Sequence, residues 1–183
     1  LEEPLWAHHV AYMIGRLGIA SLDGPEIQFL RKCLLDGDPY VQSRALRSYA
    51  TILSQQRETP GSAQDIVEAR TLCHDLVADD FARAGKRGCI NLAPGFSAAG
   101  RWQLRYQAFE SLRSIGDGSS VEVLRQMRTK CAAFGDKERF RYGLSLSQLS
   151  FEIGEEIYWR LTGGLAGETY RPLSPNQTAV RTN

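Results

Sequence analysis

The side chains best suited to chemistry in this sequence are basic and aromatic residues concentrated in one segment. Between Arg101 and Arg141 there are nine Arg or Lys residues against five Asp or Glu, a net charge of +4, whereas the whole chain carries +1. Guanidinium groups bind phosphate, and the aromatic rings interleaved with them can stack on bases. The segment is therefore a candidate nucleic-acid surface with six predicted contacts: Arg101, Arg105, Arg125, Arg128, Arg139 and Arg141.

The overall charge balance favours a structural role for the same arginines. The chain has 22 basic and 21 acidic residues, whereas a dedicated nucleic-acid-binding protein usually has a clear basic excess. On exposed helix faces, arginine commonly pairs with acids of a neighbouring helix and covers apolar side chains with its own stem. Structural pairing is therefore the main interpretation, and binding to a nucleic-acid backbone is the alternative.

The histidines are not spaced for catalysis or for metal binding. His8 and His9 are adjacent, and His74 follows Cys73; neighbours on a helix point about 100° apart, so neither pair converges on one metal ion. A catalytic centre needs a nucleophile, a base and an orienting group close together, and the sequence indicates no such set. The "GKRG" stretch at 85–88 departs from the phosphate-binding loop pattern and reads as a flexible turn. We therefore predict no catalytic residue, no metal ligand and no cofactor.

The cysteines indicate a reducing compartment. Cys33, Cys73, Cys89 and Cys131 are scattered, and none belongs to a Cys-x-x-Cys pair. Three of them fall within apolar helical patterns, where a thiol usually behaves as a small buried hydrophobe. No apolar run approaches the roughly 20 residues that a membrane span needs. The sequence predicts free thiols, a cytoplasmic location and no membrane association.

Apolar residues recur at i, i+4, i+5, i+8 and i+11, a spacing that places them in one stripe along an α-helix. We therefore expect helices to position these side chains. Alternating strand patterns are nearly absent. Four segments share these five slots, although the last has only three apolar residues: Trp6, Val10, Ala11, Ile14 and Leu17; Val41, Ala45, Leu46, Tyr49 and Ile52; Leu104, Ala108, Phe109, Leu112 and Ile115; Phe140, Leu144, Ser145, Gln148 and Phe151.

A break and a second amphipathic helix follow each of the first three stripes. Their sequences are "SLDGPEIQFLRKCLLDG", "SAQDIVEARTLCHDLVADDFA" and "SSVEVLRQMRTKC", the last with Ser119 or Ser120 as its predicted cap. A single helical hairpin cannot bury its stripe alone, but hairpins stacked in a row share a continuous core. We therefore expect an all-α fold. Ala84–Gly100, with four glycines and a proline, reads as a long loop inserted into this pattern.

Two stretches resemble HEAT repeats. They are "DPYVQSRALRSYATI", with Asp38-Pro39 before Val41 and Ala45, and "LRYQAFESLRSIGDGSSVEVL", which ends its first helix with Ile-Gly-Asp. Gln42 departs from the family pattern, which usually has arginine there. The resemblance covers roughly residues 6–161. It implies an α-solenoid of about four HEAT-like helical hairpins over residues 1–162, followed by an extended or mobile tail over 163–183.

A third stretch, "HHVAYMIGRLG", is similar to HEAT repeats attached to bacterial signalling or defence NTPases of the NACHT/STAND kind. That similarity implies a repeat array that senses a ligand within a larger protein, while another domain hydrolyses nucleotide.

The resulting functional prediction is a non-catalytic protein-interaction, scaffold or sensor module with a protein or peptide partner. The second helices of stacked hairpins line a concave surface, and aromatic residues near the end of the last helix offer a docking surface. The predicted partner contacts are Arg31, Glu68, Glu122, Arg125, Arg128, Tyr158 and Trp159. An enzyme similar to phycobilin-lyase-like HEAT proteins is a third hypothesis, which nothing beyond the repeat supports.

Overall fold

The computed structural model describes residues 4–17, 21–35, 38–59, 61–92, 97–133 and 145–163. Within these ranges the chain is all-helical and contains no β-strand, which confirms the expected all-α class. The eight helices are α1 Pro4–Leu17, α2 Pro25–Leu35, α3 Pro39–Gln55, α4 Ser62–Val77, α5 Phe81–Lys86, α6 Ala98–Ile115, α7 Gly118–Ala133 and α8 Leu146–Thr162. Of the predicted tail at 163–183, Gly163 is described and forms the C-cap of α8, whereas residues 164–183 lie outside the described residues.

The long helices contact one another in a regular order. Helices α1, α3, α6 and α8 form a series in which each contacts the next. Of the remaining long helices, α2 packs on α3, α4 on α6 and α7 on α8. Each of these three therefore packs against the member of the series that comes next after it in the chain. Helices α3 and α6 have neighbours on both sides.

The helices begin where short polar side chains can satisfy free backbone N–H groups. Before α3, Asp38 Oδ1 accepts hydrogen bonds from the backbone of Tyr40 at 2.8 Å and of Val41 at 3.0 Å. Ser97 caps α6, and Ser145 caps α8 through hydrogen bonds of 3.1 Å each.

The cap of α7 differs from the prediction of Ser119 or Ser120. Asp117 Oδ1 accepts hydrogen bonds from the backbone N–H groups of Ser119 at 3.0 Å and Ser120 at 3.3 Å. In return, the backbone N–H of Asp117 donates to Ser120 Oγ at 3.2 Å. This reciprocal pair is a capping box in which the carboxylate, which also favours the positive end of the helix dipole, lies just before the first helical residue.

The core contains the second and third predicted stripes in full, since all ten of their residues are buried. The first stripe is buried only at its centre: Ala11 and Ile14 are buried, whereas Trp6 and Leu17 are 56% and 76% exposed. The reason is that α1 stands at the start of the helix series, where α2 and α3 are its contact partners.

The fourth predicted stripe has a different register. Phe140 and Leu144 lie outside the described residues, and Ser145 caps α8 rather than packing within it. The buried face of α8 instead contains Leu146, Leu149, Ile153 and Ile157. A serine oxygen placed at a helix start satisfies backbone N–H groups, and this local preference outweighs the imperfect repeat match.

The Ala84–Gly100 segment is not the continuous loop predicted from its glycines and proline. Asp80 caps the short helix α5 by accepting a hydrogen bond from the Arg83 backbone at 2.9 Å, and α5 extends to Lys86. At the other end, Ala98–Gly100 already belong to α6. Ile90, between them, is buried. Local capping and an apolar anchor therefore order most of this segment; residues 93–96 lie outside the described part.

In the described ranges, no helix has both the length and the apolar character needed to cross a membrane.

Candidate functional site

A groove between α2 and α4 brings two of the predicted partner-binding residues together. Arg31 projects from α2 and Glu68 from α4, and both line a cavity of about 310 Å³. Helix α3 contributes Leu46 and Tyr49 to the same cavity. The groove therefore arises where α2 and α4 both contact α3, which lies between them in sequence.

The surface of the groove is partly apolar. The apolar side chains that line it are Leu34, Leu35, Leu46, Ala69 and Leu72. Of these, Leu35 is 50% exposed. A cavity with apolar walls and a few convergent polar groups is the usual form of a binding site.

One wall of the groove is fixed by a hydrogen-bonded cluster of Arg31, Tyr49 and Asp65. Arg31 Nη2 donates to both Asp65 carboxylate oxygens, at 2.8 and 2.9 Å, and to Tyr49 Oη at 3.2 Å. Burial raises the pKa of Tyr49, so the phenol stays neutral, and its oxygen accepts the hydrogen bond from Arg31. The hydrogen bond to Tyr49 in turn raises the pKa of Arg31. The charge of Asp65 is therefore neutralised inside the cluster.

Helix α4, which contributes Asp65 to this cluster, also carries a carboxylate that pairs with no basic group among the described residues. Glu68 is exposed, and its Oε1 accepts a hydrogen bond of 2.7 Å from Gln64 Nε2, which is uncharged. Cys89 lies beside it on the chain segment after α5. Burial raises the pKa of the Cys89 thiol, and the negative charge of Glu68 adds to this effect. The thiol is therefore neutral, and the net charge facing solvent from the groove is that of Glu68.

The segment after α5 is held against the groove by polar contacts. The guanidinium of Arg87 donates to the buried carboxylate of Asp75. Further along, the Asn91 backbone N–H donates to the Leu34 carbonyl at 3.2 Å. Gln42 Nε2 donates to the same Leu34 carbonyl at 3.1 Å and to the Asn91 carbonyl at 2.5 Å. These bonds fix Gly88 and Cys89 at one end of the groove.

The other predicted partner contacts lie on α7 and α8, two helices that pack on each other. Glu122 pairs with Arg125 at 2.5 Å on the surface of α7. The Arg128 guanidinium carbon lies 4.6 Å from the centroid of the Phe151 ring. Tyr158 is half-exposed, and its ring centroid lies 6.5 Å from that of Trp159. None of these five predicted residues lines the groove between α2 and α4.

The four described arginines of the nucleic-acid alternative do not form one surface. Arg105 is buried, and its Nε donates to the Val77 carbonyl at 3.0 Å, so it ties α6 to the end of α4. Arg101 is exposed and lies over the Phe81 ring at 5.3 Å. Arg125 and Arg128 have the partners on α7 and α8 described above. Arg139 and Arg141 lie outside the described residues.

Sequence reasoning missed a cluster of three arginines at the C-terminal end of α6. Arg57 donates to the Ser114 carbonyl at 2.5 Å, Arg70 to the Ile115 carbonyl at 3.0 Å and Arg160 to the Gly116 carbonyl at 2.7 Å. The last carbonyls of a helix lack intrahelical partners and carry partial negative charge. Burial and the nearby charge of Arg57 lower the pKa of Arg160. The cluster joins α4, α8 and the segment just after α3 to the end of α6 and is a structural feature.

The histidines occupy separate places. His8 Nδ1 lies 3.4 Å from the Tyr40 carbonyl, and its Nε2 accepts a hydrogen bond of 3.3 Å from Arg44, so it links α1 to α3. His74 Nε2 lies 2.8 Å from Ser120 Oγ and links α4 to α7. Within the described part of the chain, no three His, Cys, Asp or Glu side chains are placed to hold a metal ion. The cysteines form no disulfide there.

The fold and the groove together define an all-α protein with a partly apolar surface groove between two helices. No family model matches the chain, and comparisons with curated proteins and with solved structures found no match.

Proposed function

We propose that this chain is a non-catalytic protein-interaction module, a short α-solenoid of HEAT-like helical hairpins that belongs to a larger cytoplasmic protein. The support for a solenoid is the sequence of helix contacts. In the proposed hairpins, the first helices are α1, α3, α6 and α8, and each of them contacts the next. The second helices α2, α4 and α7 pack on α3, α6 and α8, respectively. Stacked hairpins are expected to pack in this way, because each pair needs its neighbour to bury its apolar stripe.

The groove between α2 and α4 is the proposed partner site. The observation that carries this proposal is that Arg31 and Glu68, from two different second helices, line the same partly apolar cavity. An extended surface built from successive second helices is the usual binding surface of helical-repeat proteins.

The chemistry of the groove favours a peptide segment with a basic residue next to an apolar one. Leu35, which is 50% exposed, offers apolar surface for one side chain, and the buried Leu34 and Leu72 lie beneath it in the lining. Asp65 is already neutralised by Arg31, whereas the partner of Glu68 within the described part of the chain is the neutral Gln64. The free charge at the groove is therefore negative, and a lysine or arginine of the peptide would pair with it.

A selection experiment tests this proposal. A displayed library of random 12-residue peptides is panned on the purified chain, and binding of the selected peptides is measured by fluorescence anisotropy. We expect a consensus with a basic residue beside an apolar one. We expect Glu68→Lys to weaken binding roughly tenfold, about 1.4 kcal/mol, because an attraction becomes a repulsion.

Glu58→Lys is the matched control, since it makes the same charge change at an exposed residue that does not line the groove. Selected peptides without basic residues, or equal losses of affinity in the two variants, would contradict the proposal. Circular dichroism melting curves of both variants confirm that each is folded.

A further inference from the structure

A second groove lies on the other side of α3, between α3 and α1, and its lining is strongly basic. Its volume is about 520 Å³. Three guanidinium groups, a phenol and two hydroxyls line it: Arg16, Arg44, Arg47, Tyr12, Ser48 and Thr51. None of these residues belongs to the sites that were predicted from the sequence.

Few acids of the described helices lie near the positive charge of this groove. Neither Pro4–Leu17 nor Pro39–Gln55 contains an Asp or Glu. Among the described residues, the one carboxylate within 4.0 Å of any of the three guanidiniums is that of Glu110, at 4.0 Å from Arg47. Glu110 lies closer to Arg113, at 3.1 Å. Three like charges therefore share one surface with little compensation.

The arginines are positioned by packing as well as by sequence. The guanidinium carbons of Arg16 and Arg44 lie 6.0 and 5.4 Å from the centroid of the same Tyr12 ring, at distances typical of cation–π contacts. Arg44 and Arg47 are three residues apart on α3 and so lie on one face.

A close helix crossing joins the two walls of this groove. A Cβ atom at Gly15 would lie 2.4 Å from Ser48 Oγ, so α1 can approach α3 this closely only because Gly15 has no side chain. The Arg16 guanidinium, on α1, is thereby held on the same side as those of α3.

We propose that this groove binds a small ligand that carries two or three linked phosphate groups. Arginine binds phosphate oxygens through paired N–H donors, and such charge-assisted bonds are among the strong ones. The ligand would supply negative charge, of which the described residues around this groove provide little. A confined groove suits a compact oligophosphate, whereas a nucleic-acid backbone needs contacts along an extended strip.

The test is a calorimetric titration of the full chain with sodium tripolyphosphate, at low and at moderate salt. We expect saturable binding at one site that weakens as the salt concentration rises. Arg47→Ala, at a half-exposed side chain, and Arg16→Ala should each weaken it roughly tenfold, the effect of losing one charge-assisted hydrogen bond. Arg83→Ala, at an exposed arginine of α5 outside the groove, is the matched control and should bind as the wild type does.

Three outcomes would overturn the proposal. The first is the absence of saturable binding at millimolar tripolyphosphate in low salt. The second is an equal loss of affinity in the control and groove variants, which indicates nonspecific charge attraction. The third is tighter binding of a 12-nucleotide single-stranded DNA than of tripolyphosphate, with a loss in Arg125→Ala, which indicates a nucleic-acid surface.

Discussion

At the residue scale, single polar side chains buried between helices hold this protein together. Arg105 shows that a residue chosen as a phosphate contact can instead donate to a backbone carbonyl inside the core. Gln42, where the HEAT pattern usually has arginine, is buried and donates to two carbonyls. A neutral amide can donate hydrogen bonds to buried carbonyls without the cost of burying a charge.

His74 makes stability depend on pH. Burial lowers the pKa of His74 below its usual 6.5, although the negative charge of Asp117 opposes this. As the pH falls below that value, the unfolded chain binds a proton that the folded chain does not, so the free energy of unfolding decreases. Burial lowers the pKa of His8 as well, which adds in the same direction. We expect His74→Asn to reduce the loss of stability between about pH 7.5 and pH 5.5, as measured by urea unfolding.

Ser120→Ala is the control for this prediction. It removes the hydroxyl that lies 2.8 Å from His74 Nε2 but keeps the titratable ring. We expect this variant to be less stable at every pH while it retains the decrease below pH 6.5. A pH dependence in His74→Asn equal to that of the wild type would show that His74 is not responsible.

At the scale of the helices, small residues decide how closely neighbours approach. A Cβ at Gly15 would meet Ser48 of α3, and one at Gly100 would lie 2.7 Å from Pro39 Cγ. At Gly116 it would lie 2.6 Å from Ile157 Cδ1, on α8. Each contact between successive helices of the series α1, α3, α6 and α8 therefore has a glycine at a close approach. The glycines that interrupt the sequence pattern thus serve packing as well as helix termination.

Gly15→Ala tests the crossing of α1 and α3. Alanine is intrinsically better than glycine in a helix by about 1 kcal/mol, whereas overpacking costs about 1–3 kcal/mol. Because the Ser48 backbone Cα as well as its side chain lies within 3.0 Å of the added atom, we expect a net loss of about 1 kcal/mol, measured by urea unfolding. Gly118→Ala is the control, since a Cβ there meets nothing within 4 Å, and it should change stability by less than about 0.5 kcal/mol. A stabilised Gly15→Ala would show that the crossing can widen freely.

At the scale of the whole molecule, stability is expected to be highest in the middle of the helix series. Helix α3 contacts α1, α2, α4 and α6, and α6 contacts α3, α4 and α8. Their stripes are fully buried, whereas α1 exposes Trp6, Tyr12, Met13 and Leu17. Free energies of local opening follow the number of packed neighbours, so elements with one free side open more easily.

Hydrogen–deuterium exchange measured by mass spectrometry checks this expectation. We predict the slowest amide exchange in α3 and α6 and distinctly faster exchange in α1, although α1 is itself 14 residues long. Uniform protection across all helices would instead indicate a single cooperative unit that opens only globally.

The sequence by itself was sufficient to predict the all-α class and the buried stripes of α3 and α6. It was also sufficient to predict the long helices α1, α3 and α6 and the helices α2, α4 and α7 that follow them. These features follow from the spacing of apolar residues and from local capping, which involve residues within a few turns of each other. It was not sufficient for the register of α8, the cap of α7 or the ordering of the Ala84–Gly100 segment. A capping hydrogen bond sets the start of α7 and of α8. The Ala84–Gly100 segment also depends on the burial of Ile90 and on hydrogen bonds between Asn91 and the distant Leu34 and Gln42.

Only the tertiary structure decided which charged side chains meet. Arg31 and Asp65 are 34 residues apart in sequence, and the arginines of the α1–α3 groove belong to two different helices. Helix phase predicts which face a residue occupies, but not which neighbour covers that face. Arg105 and Arg101, four residues apart on α6, therefore differ completely in burial, because α4 and α7 approach one of them more closely than the other. Charge and spacing along the chain are local properties, whereas burial and pairing depend on how distant helices pack.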